Sequence, residues 1–237
     1  MAAATDRDVL PVERGYQLWA PTYDLGPNPL LALEERVLRP RLDAMGNRVV
    51  LDAACGTGRW LEYLMGAGAP SPVGVDASSA MLGVARSKPA LQRRLVRGDC
   101  LALPFRSQFA DVIISSFALG HISDIESFAQ ELSRVAKRPA DVWISDVHPE
   151  ARAKGWTTGF RYYGGQAEIA TSWHSVDQVE KAFERHGFEL CQCIEAYLGE
   201  EEKPIFERAG KTGMFQRACE LRAVLICHFS LANVAAT

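Results

Sequence analysis

The run Val49–Trp60 reads VVLDAACGTGRW, an apolar stretch closed by an acid, Asp52, and then a Gly-x-Gly turn at Gly56 and Gly58. A helical pattern starts directly after it. That is the strand–turn–helix layout of a nucleotide-type cofactor site at the carboxyl end of a parallel strand. Glycine has no Cβ, so a ligand can approach the backbone closely, and the N–H groups of the new helix favour an anionic group. A pyrophosphate is disfavoured twice. The third glycine of its fingerprint is replaced by Leu61, and Asp52 would repel it. A ligand with an amine for Asp52 and a carboxylate for the helix start suits the turn better. On this reading Gly58→Val blocks the ligand and spares the fold.

Three more segments follow in order. Val73-Gly74-Val75-Asp76 reads as a short strand ending in a carboxylate, the position where such folds hold ribose hydroxyls. Ser78 or Ser79 then caps a helix carrying Met81, Leu82 and Val84. Leu95–Cys100, LVRGDC, reads as a strand with an acidic turn. Phe109–Phe117, FADVIISSF, reads as a buried strand whose carboxyl end carries Ser116 to His121.

Together these motifs resemble the class I S-adenosylmethionine-dependent methyltransferases, carried by Asp52-Ala53-Ala54-Cys55-Gly56-Thr57-Gly58 and the segments after it. The resemblance implies S-adenosylmethionine as cofactor and S-adenosylhomocysteine as product. It also implies that Asp52, Ala54, Gly56 and Gly58 line the methionine end and Asp76 holds the ribose. Ala77 and Met81 would lie near the adenine, with Asp99 and Cys100 on its edge and Ser116 over the site. Many relatives carry a histidine pair after the fourth strand, where this chain has Gly120-His121. Near the start, Tyr16-Gln17-Leu18-Trp19-Ala20-Pro21-Thr22-Tyr23-Asp24 is similar to the Tyr-x-x-Trp-Ala-x-x-Tyr-Asp segment of small-molecule methyltransferases, including those of the quinone-biosynthesis type. It implies a helix over the cofactor, with Tyr16, Trp19 and Tyr23 approaching the methionine end.

The elements needed to position these residues are legible in the periodicity. Strands are expected at 48–53, 72–75, 94–98, 111–115 and 141–147, and helices at 57–66, 78–88 and 124–137. A helix over 176–186 and strands over 188–198 and 221–231 complete the chain. The fold class is α/β: a seven-stranded, mostly parallel Rossmann-like sheet with helices on both faces and an antiparallel last strand. A single domain is expected over 1–237. It has an N-terminal helical lid at 1–45, a cofactor core at 46–150 and a C-terminal half at 151–237 with substrate-cap inserts near 148–174 and 199–219. Residues 148–166 show no clear period and read as irregular.

Methyl transfer from a sulfonium needs positioning and exclusion of water more than acid catalysis. A hydroxyl acceptor would also need a base, and a histidine titrating near neutrality suits that role. His148, His121 and His174 fall on or over the carboxyl rim and are the candidates. His186 and His228 read as structural. The acceptor pocket is expected from Trp156, Phe160, Tyr162, Tyr163, Trp173 and Phe206, with Arg161 as its cation, and so an apolar or aromatic small molecule as partner.

Composition sets the outer bounds. The 237 residues carry a net charge of −3 and are 48% apolar. No dense Lys/Arg cluster supports a nucleic-acid partner, and no apolar run supports a membrane span. The first residues lack a secretory apolar core and read as a frayed lead. None of the six cysteines forms a Cys-x-x-Cys pair, so no metal is expected and a cytoplasmic setting is. Leu61 and the lack of a Tyr-x-x-x-Lys pair argue against a nicotinamide oxidoreductase. No Gly-x-Ser-x-Gly elbow supports a hydrolase. The remaining alternative is a protein that binds S-adenosylmethionine or S-adenosylhomocysteine without turnover, as a sensor or partner subunit.

Overall fold

The computed structural model describes residues 8–43 and 46–233; of the lead 1–15 expected to be frayed, residues 1–7 lie outside them, and 8–15 instead form a short strand, Asp8–Leu10, and the start of a helix at Val12. In chain order the elements are β1 (Asp8–Leu10), α1 (Val12–Trp19), α2 (Pro29–Leu42), β2 (Val50–Ala53), α3 (Arg59–Gly66), β3 (Val73–Asp76), α4 (Ser79–Ser87), β4 (Leu95–Arg97), β5 (Ala110–Ser116) and α5 (Ile125–Val135). There follow β6 (Ala136–Val147), α6 (Pro149–Ala153), β7 (Gly159–Tyr162), β8 (Gly165–Ile169), α7 (Val176–Arg185), β9 (Phe188–Tyr197), α8 (Lys203–Arg208), α9 (Phe215–Cys219) and β10 (Arg222–Leu231).

The main sheet has seven strands in the order β4-β3-β2-β5-β6-β10-β9. Its pairings are parallel from β4 to β6, and β10 runs antiparallel to both β6 and β9. Strand order reverses between β2 and β5, which opens a crevice at their carboxyl ends where ligands of such sheets bind. Side chains alternate across the sheet as the pleat requires. Leu51, Ala53 and Ile113 face one core with Phe128, Leu132 and Phe183 of α5 and α7. Val50, Val112 and Ile114 face the other, with Leu33 and Leu38 of α2 and Trp60 and Leu64 of α3.

Local chemistry sets the helix starts. The Asn28 side chain caps α2, Ser78 caps α4 and Asp124 caps α5, and Ser175 with Gln178 forms a capping box on α7. Among the described residues no helix is long and apolar enough to cross a membrane.

Two regions differ from the sequence expectation. The helix expected to run to 137 stops at Val135, and β6 begins at once, because Ala136 already pairs with Ala110. The stretch expected to be irregular, 148–166, instead forms α6, β7 and the start of β8. Strands β7 and β8 make a hairpin about Tyr163-Gly164, and β1 adds to β8 in parallel. This small second sheet packs against α1. Phe160, Ala167 and Ile169 form its core against Leu10, Tyr16 and Trp19.

Candidate cofactor and acceptor site

The turn after β2 is held by an acid from the neighbouring strand. Asp76, at the end of β3, accepts the Gly56 N–H at 2.8 Å through one oxygen and the Ser78 N–H at 2.7 Å through the other. Its pKa is raised, burial outweighing those two bonds. Asp52 is buried beneath the turn, and its Oδ1 has no hydrogen-bond partner. Burial pushes its pKa up to about 8; Arg59 pulls the other way, and Asp76 and Glu34 add to the rise. A buried acid left in this state is relieved by a cation. The site therefore suits a ligand that brings a positive charge to Asp52 and hydroxyls to Asp76, as an amino-acid sulfonium nucleoside does.

Gly58 has φ +82° and is the N-cap of α3. A Cβ there would lie 2.4 Å from Leu91 Cδ1. Gly58→Val therefore damages packing as well as access, and the expectation that the fold is spared is withdrawn. Ala54 also sits in the left-handed region, at φ +66°, where a Cβ is strained. Around the turn, Met81 is buried, and its Cε stands 3.3 Å from where a Gly56 Cβ would be. The Ala77 carbonyl accepts from Arg97 at 3.3 Å. Asp99 accepts the Leu101 N–H at 2.9 Å, and burial pushes the Cys100 thiol up to about 12.

An aromatic roof covers this floor. Tyr16 stacks on Trp19 at 6.0 Å, Trp19 on Phe160 at 5.1 Å, and Tyr23 tilts against Trp19 at 4.8 Å. The roof is tied down by Asp24, which accepts from Thr57 at 2.7 Å and pairs with Lys88 at 3.0 Å. Burial raises the Tyr23 phenol to about 12, and it lifts Tyr16 well above its usual value.

The three candidate histidines part company. His121 Nε2 lies 2.8 Å from the Tyr16 hydroxyl, and burial lowers its pKa, with the Asp146 charge partly offsetting the shift. His148 is buried; its Nδ1 accepts the Glu150 N–H at 3.0 Å, and its Nε2 meets Glu195 of β9 at 3.0 Å. Both ring nitrogens are thus engaged, toward the far strand rather than the turn. His174 Nε2 donates to the Ile122 carbonyl at 2.6 Å. Of the expected acceptor-pocket aromatics, Phe160 and Tyr162 join the roof. Tyr163 is fully exposed at the hairpin tip, Trp173 is largely exposed, and Phe206 packs in the core against Phe215.

Sequence reasoning missed a buried ionic knot at the rim. Glu34 of α2 is wholly buried. It pairs with Arg59 and accepts from Ser116 at 2.7 Å and from Ser145. Arg59 also reaches Glu35 at 3.0 Å and Ser116 at 3.0 Å. A signal was present: Leu30, Glu34 and Leu38 share one helical face, so an acid sat on the apolar stripe. A second missed pair, Asp146 with Arg152, lies under the loop after β5.

Residues 50–139 match the family described as "Methyltransferase domain". The demethylmenaquinone methyltransferase of Thermobifida fusca is 33% identical over 167 residues, which cover 65% of this chain and 70% of that protein. The protein of the same name from Shouchella clausii is 36% identical over 103 residues, 41% of this chain and 44% of the relative, so the chain spans less than half of that relative's length. The crystal structure of an S-adenosylmethionine-dependent methyltransferase from Mesorhizobium loti superposes with a TM-score of 0.66 at 19% identity, covering 86% of this chain and all of that one, and shows the shared fold. The chain belongs to the class I S-adenosylmethionine-dependent methyltransferase family. The family's cofactor is S-adenosylmethionine.

Proposed function

We propose that this chain transfers a methyl group from S-adenosylmethionine to a planar, apolar or aromatic small molecule. One observation carries the reading: a buried acid with an unpartnered oxygen, Asp52, and a wired acid, Asp76, lie beneath an aromatic roof that holds one histidine by hydrogen bond. Asp52 with Ala54, Gly56 and Gly58 takes the methionine end, and Asp76 takes the ribose. Ala77 and Met81 flank the adenine, whose edge meets Asp99 and Cys100. Ser116, through Glu34 and Arg59, sets the rim. When bound, the cofactor supplies an electrophilic methyl carbon on a cationic sulfur. The chain's own task is to hold the acceptor atom about 3 Å from that carbon and keep water out.

Tyr16, Trp19 and Tyr23 do the excluding. We assign the proton to His121: its lowered pKa keeps the imidazole neutral near pH 7, so Nε2 can take a proton from Tyr16 or from the acceptor. His148 and His174 shape the rim through their fixed hydrogen bonds. The relatives' name supports a quinone-like acceptor. The free thiols among the described residues support a cytoplasmic setting.

Methyl-labelled S-adenosylmethionine, the pure protein and a fractionated extract of the source cells test this. Label in organic-soluble small molecules is the expected result. Label in protein or nucleic acid overturns the acceptor class. No label, with tight S-adenosylhomocysteine binding, favours a non-enzymatic sensor. His121→Ala should cut kcat about 100-fold or more with cofactor affinity unchanged. It should also abolish the acid limb of the pH profile, which in the wild type rises through a pKa below 6.5. An equal fall in cofactor affinity would move His121 to a binding role.

A further inference from the structure

The last two strands of the main sheet set two cysteines face to face. Strand β9 is the edge, and β10 lies between it and β6. In their antiparallel register Cys193 stands directly opposite Cys227. Opposed residues of such a pair have Cα atoms about 4.5–5.5 Å apart, inside the range of about 4.4–6.8 Å that a disulfide spans. They also send their side chains to the same face of the sheet. The two thiols meet there. The Cys227 thiol donates to Cys193 and lowers its pKa, against partial desolvation and the charges of Glu195 and Glu180. The same contact, with burial, raises the pKa of Cys227.

The two thiols differ in access. Cys193 is exposed, whereas Cys227 is 2% exposed and packs in the core with Val179 and Phe183 of α7. One can meet a reagent from solution, and the other can react only with its neighbour. An exposed thiol of lowered pKa with a second thiol beside it is the arrangement of a redox-sensitive site. Cys191 supplies the contrast. It is exposed too, but the register steps from Gln192 opposite His228 to Leu190 opposite Phe229. Cys191 is left in a bulge with no residue facing it on β10.

We infer that Cys193 and Cys227 form a reversible disulfide site, in which Cys193 takes the oxidant, a small-molecule disulfide, and Cys227 closes the bond. The Cys193 thiolate attacks one sulfur of the small disulfide, which gives a mixed disulfide and releases a first small thiolate. Cys227 gives up its proton to solvent as its sulfur attacks that of Cys193, and the second small thiolate leaves. Two cysteine thiols are oxidised to one disulfide, the small disulfide is reduced to two thiols, and the two protons lost by the cysteines end on those thiols. In a reducing compartment such a bond is transient. It fastens the edge strand whose Glu195 holds His148 and Arg222. Neither step involves the cofactor or the acceptor, so the site stands apart from methyl transfer.

The test treats the reduced full-length protein with excess glutathione disulfide, alkylates the remaining thiols, and maps the peptides by mass spectrometry without reduction. The wild type should yield a 193–227 cross-link that dithiothreitol reverses. Cys191→Ser should cross-link as the wild type does. Cys193→Ser, at an exposed position, should lose the cross-link and leave Cys227 unmodified. Cys227→Ala should stop at the mixed disulfide, with glutathione retained on Cys193; where that variant does not fold, the other two decide. A wild type that keeps glutathione on Cys193 without closing, a bond through Cys191 or between two copies of the chain, or a Cys193 thiol that stays free overturns the site.

Discussion

Between Val50 and Cys100 the chain lays down strand, turn, acid and helix in consecutive residues, whereas the cap takes β1 from residues 8–10 and its partner hairpin from 159–169. In the first region each functional group is set by its near neighbours: Asp76 closes the Gly56 turn, and Ser78 caps α4. In the second, Tyr16 stacks on Trp19 locally, but Trp19 meets Phe160 and Tyr16 meets His121 only after the chain has crossed the sheet. The difference teaches that the floor around the Gly-x-Gly turn is encoded locally, whereas the aromatic roof depends on long-range contacts.

The local region is most vulnerable at Asp76. Asp76→Ala removes two charge-assisted bonds that hold the turn and, on the proposed reading, the ribose contact as well. With the turn no longer held and a hydroxyl acceptor gone, S-adenosylhomocysteine affinity should fall by at least about 100-fold by calorimetry. Affinity within a few-fold of wild type would mean that the turn does not need its acid.

Phe160→Ala strikes the other region. Phe160 is buried between Trp19 and Tyr162, and its loss should cost about 3 kcal/mol of cap packing. Hydrogen exchange should show the loss confined to β1, β7 and β8, with the main sheet unchanged. Equal destabilisation across both sheets would show that cap and core unfold together.

A smaller effect separates the floor charges. Asp52 is largely protonated at pH 7 before ligand arrives, because its pKa stands at about 8. An amine partner favours the carboxylate form, so binding should release a proton. Affinity should then rise with pH by up to about tenfold per unit below pH 8. Calorimetry in buffers of different ionisation enthalpy counts that proton, and Asp52→Asn should abolish the release. A pH-independent affinity would place the amine elsewhere.

Legibility followed the same division. The strands carrying Asp52, Asp76 and Ser116 lie within two residues of their expected bounds, since each is a compact apolar run ended by polar residues. The hairpin at 159–169 was unreadable because its strands are short, half-exposed and interrupted by glycines, and its third strand, β1, has only three residues. His148 was placed rightly at the end of β6, but sequence could not say which way it points. The answer came from Glu195, 47 residues away. Arg152 was invisible for a related reason: its partner Asp146 lies six residues off across a helix start, and its space depends on Gly120.

The local region breaks its own rule at one residue, Ala54, and the least of the expected effects lies there. Held at φ +66°, a residue with a Cβ is strained by about 1–2 kcal/mol. Ala54→Gly relieves that but loosens the unfolded chain by about 0.5–1 kcal/mol. The net gain should be about 0.5 kcal/mol, a rise in Tm of about 1–2 °C for a chain of this size, with S-adenosylhomocysteine affinity held within about twofold. A fall in Tm would mean that the Ala54 methyl, which packs against the core beneath the turn, contributes more than its backbone costs. The turn would then be positioned by packing as the cap is, and the contrast between the two halves would weaken at the residue where it should be sharpest.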